Sequence, residues 1–91
     1  MSDSTLSVYV ISVAAEMVGT GVQNLRAYER AGLVTPGRTA GGTRMYSGDD
    51  ITRLRRVARL LEAGLNLAGI AMVLELEEEN RRLRTRLKRR A

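Results

Sequence analysis

Apolar side chains recur every three or four positions through most of this chain from residue 13 onward and lose that rhythm over residues 33–46. Val22, Leu25, Tyr28 and Ala31 make one stripe while Gln23, Asn24, Arg26, Ala27 and Arg30 fall elsewhere. That pattern predicts a short helix that offers amides and guanidinium groups outward and stops at Gly32. Ile51, Leu54, Val57, Ala58 and Leu61 predict a longer helix over 48–63 that ends at Gly64. Before it, Ser47-Gly48-Asp49-Asp50 has the S-x-x-D form of a capping box. Upstream, Val13, Ala14 and Met17 give the inner face of a helix that Ser12 is expected to cap, with Glu16 near its positive end. Gly19, Thr20 and Gly21 then turn the chain into the second helix, with Thr20 or Gly21 as its N-cap. Downstream, Asn66 is expected to cap a short fourth helix with Leu67, Ile70, Val73 and Leu74 inward. From about residue 73 the chain becomes one long polar helix without Gly or Pro.

Within the arrhythmic stretch, Leu33 and Val34 leave the helix, Pro36 bars it from resuming, Gly41-Gly42 offers a tip able to take positive φ, and Thr43, Arg44, Met45 and Tyr46 return. This is a small hairpin that carries Arg38 and Arg44 beside the second helix. Val8 to Ile11 is a short β-like run, expected to pair with the hairpin as a third strand. A polar helix beside a basic hairpin is a winged helix-turn-helix, mainly α with a small antiparallel β-sheet. Such a fold puts the helix in a DNA major groove and the wing on the flanking backbone. The expected organisation is a disordered N-terminus over 1–7, the winged head over 8–74, and a C-terminal coiled-coil dimerisation helix with a basic end over 75–91.

The last helix admits a heptad in which Val73, Asn80 and Leu87 are a positions and Leu76 and Leu83 are d positions, with Glu77, Glu79, Arg84 and Arg86 flanking them. Its acids, Glu75 and Glu77 to Glu79, all precede its bases, so a parallel pair would stack like charges and an antiparallel pair sets Glu77 beside Arg84 of the other chain. Antiparallel pairing is therefore expected, although Asn80 then faces Leu83 rather than another Asn. The competing reading is an exposed helix end or a basic tail on DNA.

Charge agrees with a polyanionic partner: 15 Lys and Arg stand against 10 Asp and Glu, a formal +5, and every basic residue except Lys88 is arginine. Arg53, Arg55, Arg56 and Arg59 crowd one face of the third helix, where either solvation or phosphate contact would account for them. There is no Cys and no His. A disulfide framework is thus excluded, and a transition-metal site would need oxygen ligands alone. Asp49 and Asp50 are better explained by helix capping than by a hard cation. No catalytic constellation, cofactor motif or metal set emerges, and the expectation is a binding protein rather than an enzyme. Without a signal-peptide core or a long apolar run, the expected location is the bacterial cytoplasm, associated with the nucleoid.

The run Leu25-Arg26-Ala27-Tyr28-Glu29-Arg30-Ala31-Gly32-Leu33, followed by Gly41-Gly42-Thr43-Arg44-Met45-Tyr46 and Ser47-x-x-Asp50-Ile51, resembles the DNA-binding domain of MerR-family transcription regulators. Tyr9 to Ala15 and Gly64 to Ile70 look most like its heat-shock-repressor (HspR-like) branch, and the resemblance spans residues 9 to about 76. It implies DNA contact for Arg26, Tyr28, Arg44 and Tyr46, and more loosely for Arg38, together with an antiparallel pair of C-terminal helices. The absence of Cys and His departs from the metal-sensing members. The effector-binding domain that such proteins usually add is not expected here, which leaves regulation to protein level, to a protein partner, or to neither. The candidate DNA-binding residues are Gln23, Asn24, Arg26, Tyr28, Arg30, Arg38, Gly42, Arg44, Tyr46 and Arg53, and the candidate dimerisation residues are Val73, Leu76, Asn80, Leu83 and Leu87. The implied function is a homodimeric, sequence-specific repressor of stress or chaperone genes at an inverted-repeat operator. The alternatives are an excisionase-like architectural protein that bends DNA, and a coiled-coil module that docks a chaperone or an RNA polymerase subunit.

Overall fold

Residues 3–90 are described by a computed structural model of the chain. Strand β1 (Ser7–Val10) leads directly into helix α1 (Ile11–Val18), and a tight turn delivers helix α2 (Val22–Arg30). Strands β2 (Gly37–Arg38) and β3 (Arg44–Ser47) form the wing, followed by α3 (Gly48–Glu62) and α4 (Leu67–Arg90). The sheet order is β1-β3-β2, antiparallel throughout, so the returning strand of the hairpin is central and the N-terminal run is its outer neighbour, as expected, although the strand begins at Ser7 and Ile11, expected in it, opens α1. A register shift lies between Ser7 and Tyr9, where the pairing passes from Ser7↔Ser47 to Tyr9↔Tyr46.

Every layer contributes to one core: Ala14 and Ala15 from α1, Leu25 and Tyr28 from α2, Leu33 and Val34 from the loop, Tyr46 from β3, Ile51, Leu54, Val57 and Leu60 from α3, and Ile70 and Leu74 from α4. The capping box is formed: Ser47 Oγ accepts from the Asp50 amide at 3.0 Å and the Asp50 carboxylate accepts from the Ser47 amide at 2.9 Å. This fixes where the sheet ends and α3 begins.

Several expectations are corrected. Ser12 does not cap α1; Val10 occupies that position without a side-chain bond, and no acid lies in the first turn. The strand runs straight into the helix, so its last residue, Val10, takes the N-cap position and has no side-chain acceptor to offer. Val13 is exposed, and Ala15 takes the inner place assigned to it. Ala31, assigned to the apolar stripe of α2, is exposed just beyond the helix end. Residues 3–7 are held rather than frayed: Ser4 O accepts from the Asp49 amide at 2.9 Å and Ser7 opens β1, while Met1 and Ser2 lie outside the described residues. Finally, the short fourth helix and the long polar helix are one continuous element. Asn66 Oδ1 accepts from the Gly69 amide at 2.8 Å at its start, and a boundary at 74/75 falls inside it with no break.

Candidate nucleic-acid interface

Buried Leu25 and Tyr28 fasten α2 to the core, and this sets its opposite face outward. Gln23, Asn24, Arg26 and Arg30 are all exposed on that helix. Among the described residues no ion pair engages Arg26 or Arg30. Asn24 Nδ2 donates to Thr20 Oγ1 at 2.7 Å, which orients the amide and leaves its carbonyl oxygen and second N–H available. Gly21, not Thr20, is the N-cap of α2.

The wing is closed by backbone bonds between Thr39 and Thr43 and between Gly42 and Thr39, both at 2.9 Å. Gly42, exposed at its tip, adopts φ +86°, a conformation that a side chain would strain, and Gly41 keeps negative φ. Gly42 O accepts from Arg38 Nη1 at 3.0 Å, so Arg38 spans its own hairpin. Arg38 Nη2 also donates to Glu29 Oε2 at 3.2 Å, and Arg44 Nε donates to Glu29 Oε1 at 2.5 Å. One carboxylate from α2 thereby holds both wing arginines. Sequence reasoning passed over Glu29, although the signal is visible: it is the only acid between Glu16 and Asp49, amid Arg26, Arg30, Arg38 and Arg44.

For Tyr28 and Tyr46 the resemblance implies DNA contact, which a half-buried ring with an outward hydroxyl would allow. Tyr28 retains 6% exposure. Tyr46 retains none, and its hydroxyl has no hydrogen-bond partner among the described residues. Burial first, then the Glu29 carboxylate, pushes this phenol above its ordinary range. As folded, Tyr46 is a core residue with no surface to offer a partner, because it lies in the central strand, which packs against α1 and α3.

The arginine face of α3 is also largely spoken for. Arg53 Nε donates to Leu33 O at 2.5 Å, and its Nη1 lies 3.7 Å from Glu78. Arg55 donates twice to Met17 O, at 3.2 and 3.1 Å, satisfying a carbonyl that the end of α1 leaves without a helical partner. Arg56 meets Glu77, closest at 2.7 Å, and this bond raises the basicity of the guanidinium and lowers the carboxyl below its ordinary range. Arg53, assigned to DNA, therefore ties α3 to the loop and to α4, an arrangement that neither a solvated nor a phosphate-binding face anticipates. The acids in α4 were the available sign of it.

On α4, Leu76, Leu83 and Leu87 are exposed at 67, 46 and 68%, Asn80 is exposed, and Val73 is half-buried against the core. The heptad positions thus form an uncovered apolar stripe beyond the head. The described residues contain no group of three or more acids placed to hold a metal ion, and no helix is long and apolar enough to cross a membrane.

Residues 9–77 match the MerR HTH family of regulatory proteins. The chain belongs to this family. It is 52% identical over 80 residues to a Streptomyces coelicolor protein named as heat shock protein HspR, covering 87% of this chain and 53% of that one. It is 36% identical over 70 residues to the HTH-type transcriptional regulator GlnR of Bacillus anthracis, covering 77% of this chain and 54% of the relative. The chain thus spans about half the length of the curated relatives it matches. Among solved structures, HiNmlR, a MerR family regulator lacking the sensor domain and bound to promoter DNA, superposes with a TM-score of 0.70 at 30% identity, over 76% of this chain and 53% of that one. The N-terminal part of MtaN, the Bacillus subtilis multidrug transporter activator, gives 0.68 at 26% identity, over 89% of this chain and 86% of its own.

Proposed function

We propose that this MerR-family chain is a sequence-specific DNA-binding transcription regulator that reads an inverted-repeat operator as a homodimer and represses stress or chaperone genes. The observation that carries the DNA reading is the exposed polar face of α2 set beside a wing whose two arginines are aimed by one carboxylate. Amides suit adenine edges, and arginine suits guanine or phosphate. A solved relative of the same fold bound to promoter DNA supports it. The homodimer rests on the uncovered Leu76, Leu83 and Leu87, which an antiparallel copy of α4 would bury while setting Glu77 near Arg84. A two-fold protein reads a two-fold site, and from this follows the inverted repeat. Repression of stress genes rests on the likeness to the protein named HspR.

Selection of bound fragments from a genomic library, followed by footprinting and in vitro transcription on the winners, tests each part. The expected outcome is a small set of fragments sharing an inverted repeat upstream of stress genes, protected symmetrically and transcribed less in the protein's presence. Binding without sequence preference, with bending of every fragment, would instead make this an architectural protein.

A further inference from the structure

Glu29 is the least expected group at the interface: an acid on the DNA-facing side of a basic head. A carboxylate there repels phosphate, and its plain effect on DNA affinity should be unfavourable. Its bonding points the other way. Each of its oxygens takes one wing guanidinium, Arg44 through Nε and Arg38 through Nη2, from two different strands of the hairpin. Arg44 is thereby gripped on its Nε edge, and its two terminal nitrogens have no partner among the described residues. Those nitrogens form the fork that matches a phosphate bidentately. Glu29 is 22% exposed in its side chain and Arg44 31%, so the grip is partly sheltered from water, which strengthens it relative to an open surface pair.

We propose that Glu29 is a positioning residue for DNA binding: it presets the Arg44 and Arg38 guanidiniums for phosphate and locks the wing to the reading helix, so the two engage DNA in one fixed relation. The inference rests on the DNA-reading function proposed above. An unheld arginine must give up its side-chain freedom when it meets phosphate, whereas Arg44 has already surrendered that freedom in the free protein. Because the carboxylate belongs to α2, any tilt of the wing costs both ion pairs at once. Apart from this clasp, the wing is joined to the head through β3, by its pairing with β1, by Tyr46 in the core and by the Ser47–Asp50 capping box.

The test exploits a sign. Glu29→Gln makes the chain more positive, and if Glu29 only repels phosphate the variant binds DNA more tightly. Positioning requires the reverse. Affinity of the full-length chain for a short random-sequence duplex is measured across a salt series; no operator is needed, since a wing arginine on phosphate carries little base information. The expected result is roughly tenfold weaker binding, the order of one charge-assisted hydrogen bond, with a log affinity against log salt line flatter by about 0.9 for each phosphate that the wing no longer neutralises. In an Arg38→Ala, Arg44→Ala background the same change should have no weakening effect. Unchanged or tighter binding by Glu29→Gln, or equal weakening in both backgrounds, overturns the proposal. Should Glu29→Gln fail to fold, nitrogen-15 relaxation of the Arg44 side chain in the parent decides: a restrained Nε–H before DNA is added is expected, and one as mobile as that of Arg26 overturns it. A parent chain with no DNA affinity at any salt would sink the proposed function itself, an outcome plainly distinct from a Glu29 variant that binds as well as a binding parent.

Discussion

Along α4, Ile70 and Leu74 are buried at 0 and 4% exposure, while Leu76, Leu83 and Leu87 on the same helix stand at 67, 46 and 68%. The first pair completes the core of the head; the second set touches no part of it. The helical backbone is the same in both halves, and what differs is whether tertiary packing supports it. An isolated helix of the length left uncovered is marginal in water even with good helix formers. Here it gains a little from an exposed Glu79–Arg82 pair one turn apart and from basic residues over its last turn. The head has a core of its own, whereas nothing among the described residues covers the distal half of α4.

The largest expected effect breaks that contrast at the distal stripe. Leu76→Glu with Leu83→Glu puts like charges where two copies of α4 should meet, and sedimentation should show a monomer. DNA affinity should fall by about 10²–10⁴-fold, the advantage of linking two reading heads, while the melting transition of the head persists because neither leucine belongs to its core. A variant that stays dimeric would remove the heptad assignment. A monomer that binds as tightly as the parent would remove the need for the dimer.

The same deletion made in each region sharpens the contrast. Leu54 is fully buried in α3, and Leu54→Ala should cost about 2–5 kcal/mol of head stability through the missing packing and a residual cavity. Leu83→Ala, measured by thermal melting at a concentration too low for dimers, should shift the head transition hardly at all. Comparable shifts would mean that the two halves of α4 unfold as one unit.

Much of the head was legible because its signals are local. Gly32 and Gly64 end helices, Ser47 and Asp50 pair within a single turn of chain, and Leu25, Leu54 and Ile70 fall on helical stripes. The residues whose surroundings the sequence did not show depend on partners far along the chain. Arg53 and Arg56 look like a phosphate-binding face until Glu77 and Glu78 arrive from α4, 21 or more positions later. Tyr46 looks amphipathic in a strand, and only the sheet order reveals that β3 is central and covered. Glu29 is legible as a lone acid but not as a clasp, since its two partners come from opposite strands of the wing.

A smaller effect, with an opposite sign to most core changes, is expected at Tyr46. Its hydroxyl is buried without a partner among the described residues, so Tyr46→Phe removes an unsatisfied polar group at almost constant volume and should leave stability unchanged or raise it by up to about 1 kcal/mol. DNA affinity should not change. Weaker DNA binding together with an unchanged fold would show that the hydroxyl reaches phosphate in the complex, returning Tyr46 to the interface assigned to it from sequence.

The smallest effect concerns the joint between the two regions, where Arg56 meets Glu77 and Arg53 approaches Glu78. The bond from Arg56 is the main reason that the Glu77 carboxyl lies below its ordinary range in the folded chain. A carboxyl whose folded value is depressed stabilises the fold while it is ionised in both states; that contribution is complete above the ordinary carboxylate range and is lost as pH falls through the depressed value. Both groups are well exposed, so solvent screening keeps the contribution small. Melting of the parent and of Arg56→Leu, followed from neutral pH downward at low salt, should therefore differ most at neutral pH. The two curves should converge in acid, and added salt should shrink the gap. Leucine keeps the apolar stem of Arg56 and removes its charge, so a gap that persists unchanged into acid would place the role of Arg56 in packing between α3 and α4. A gap that follows the protonation of Glu77 would make this ion pair the electrostatic link that carries the order of the head into the first turns of the exposed helix.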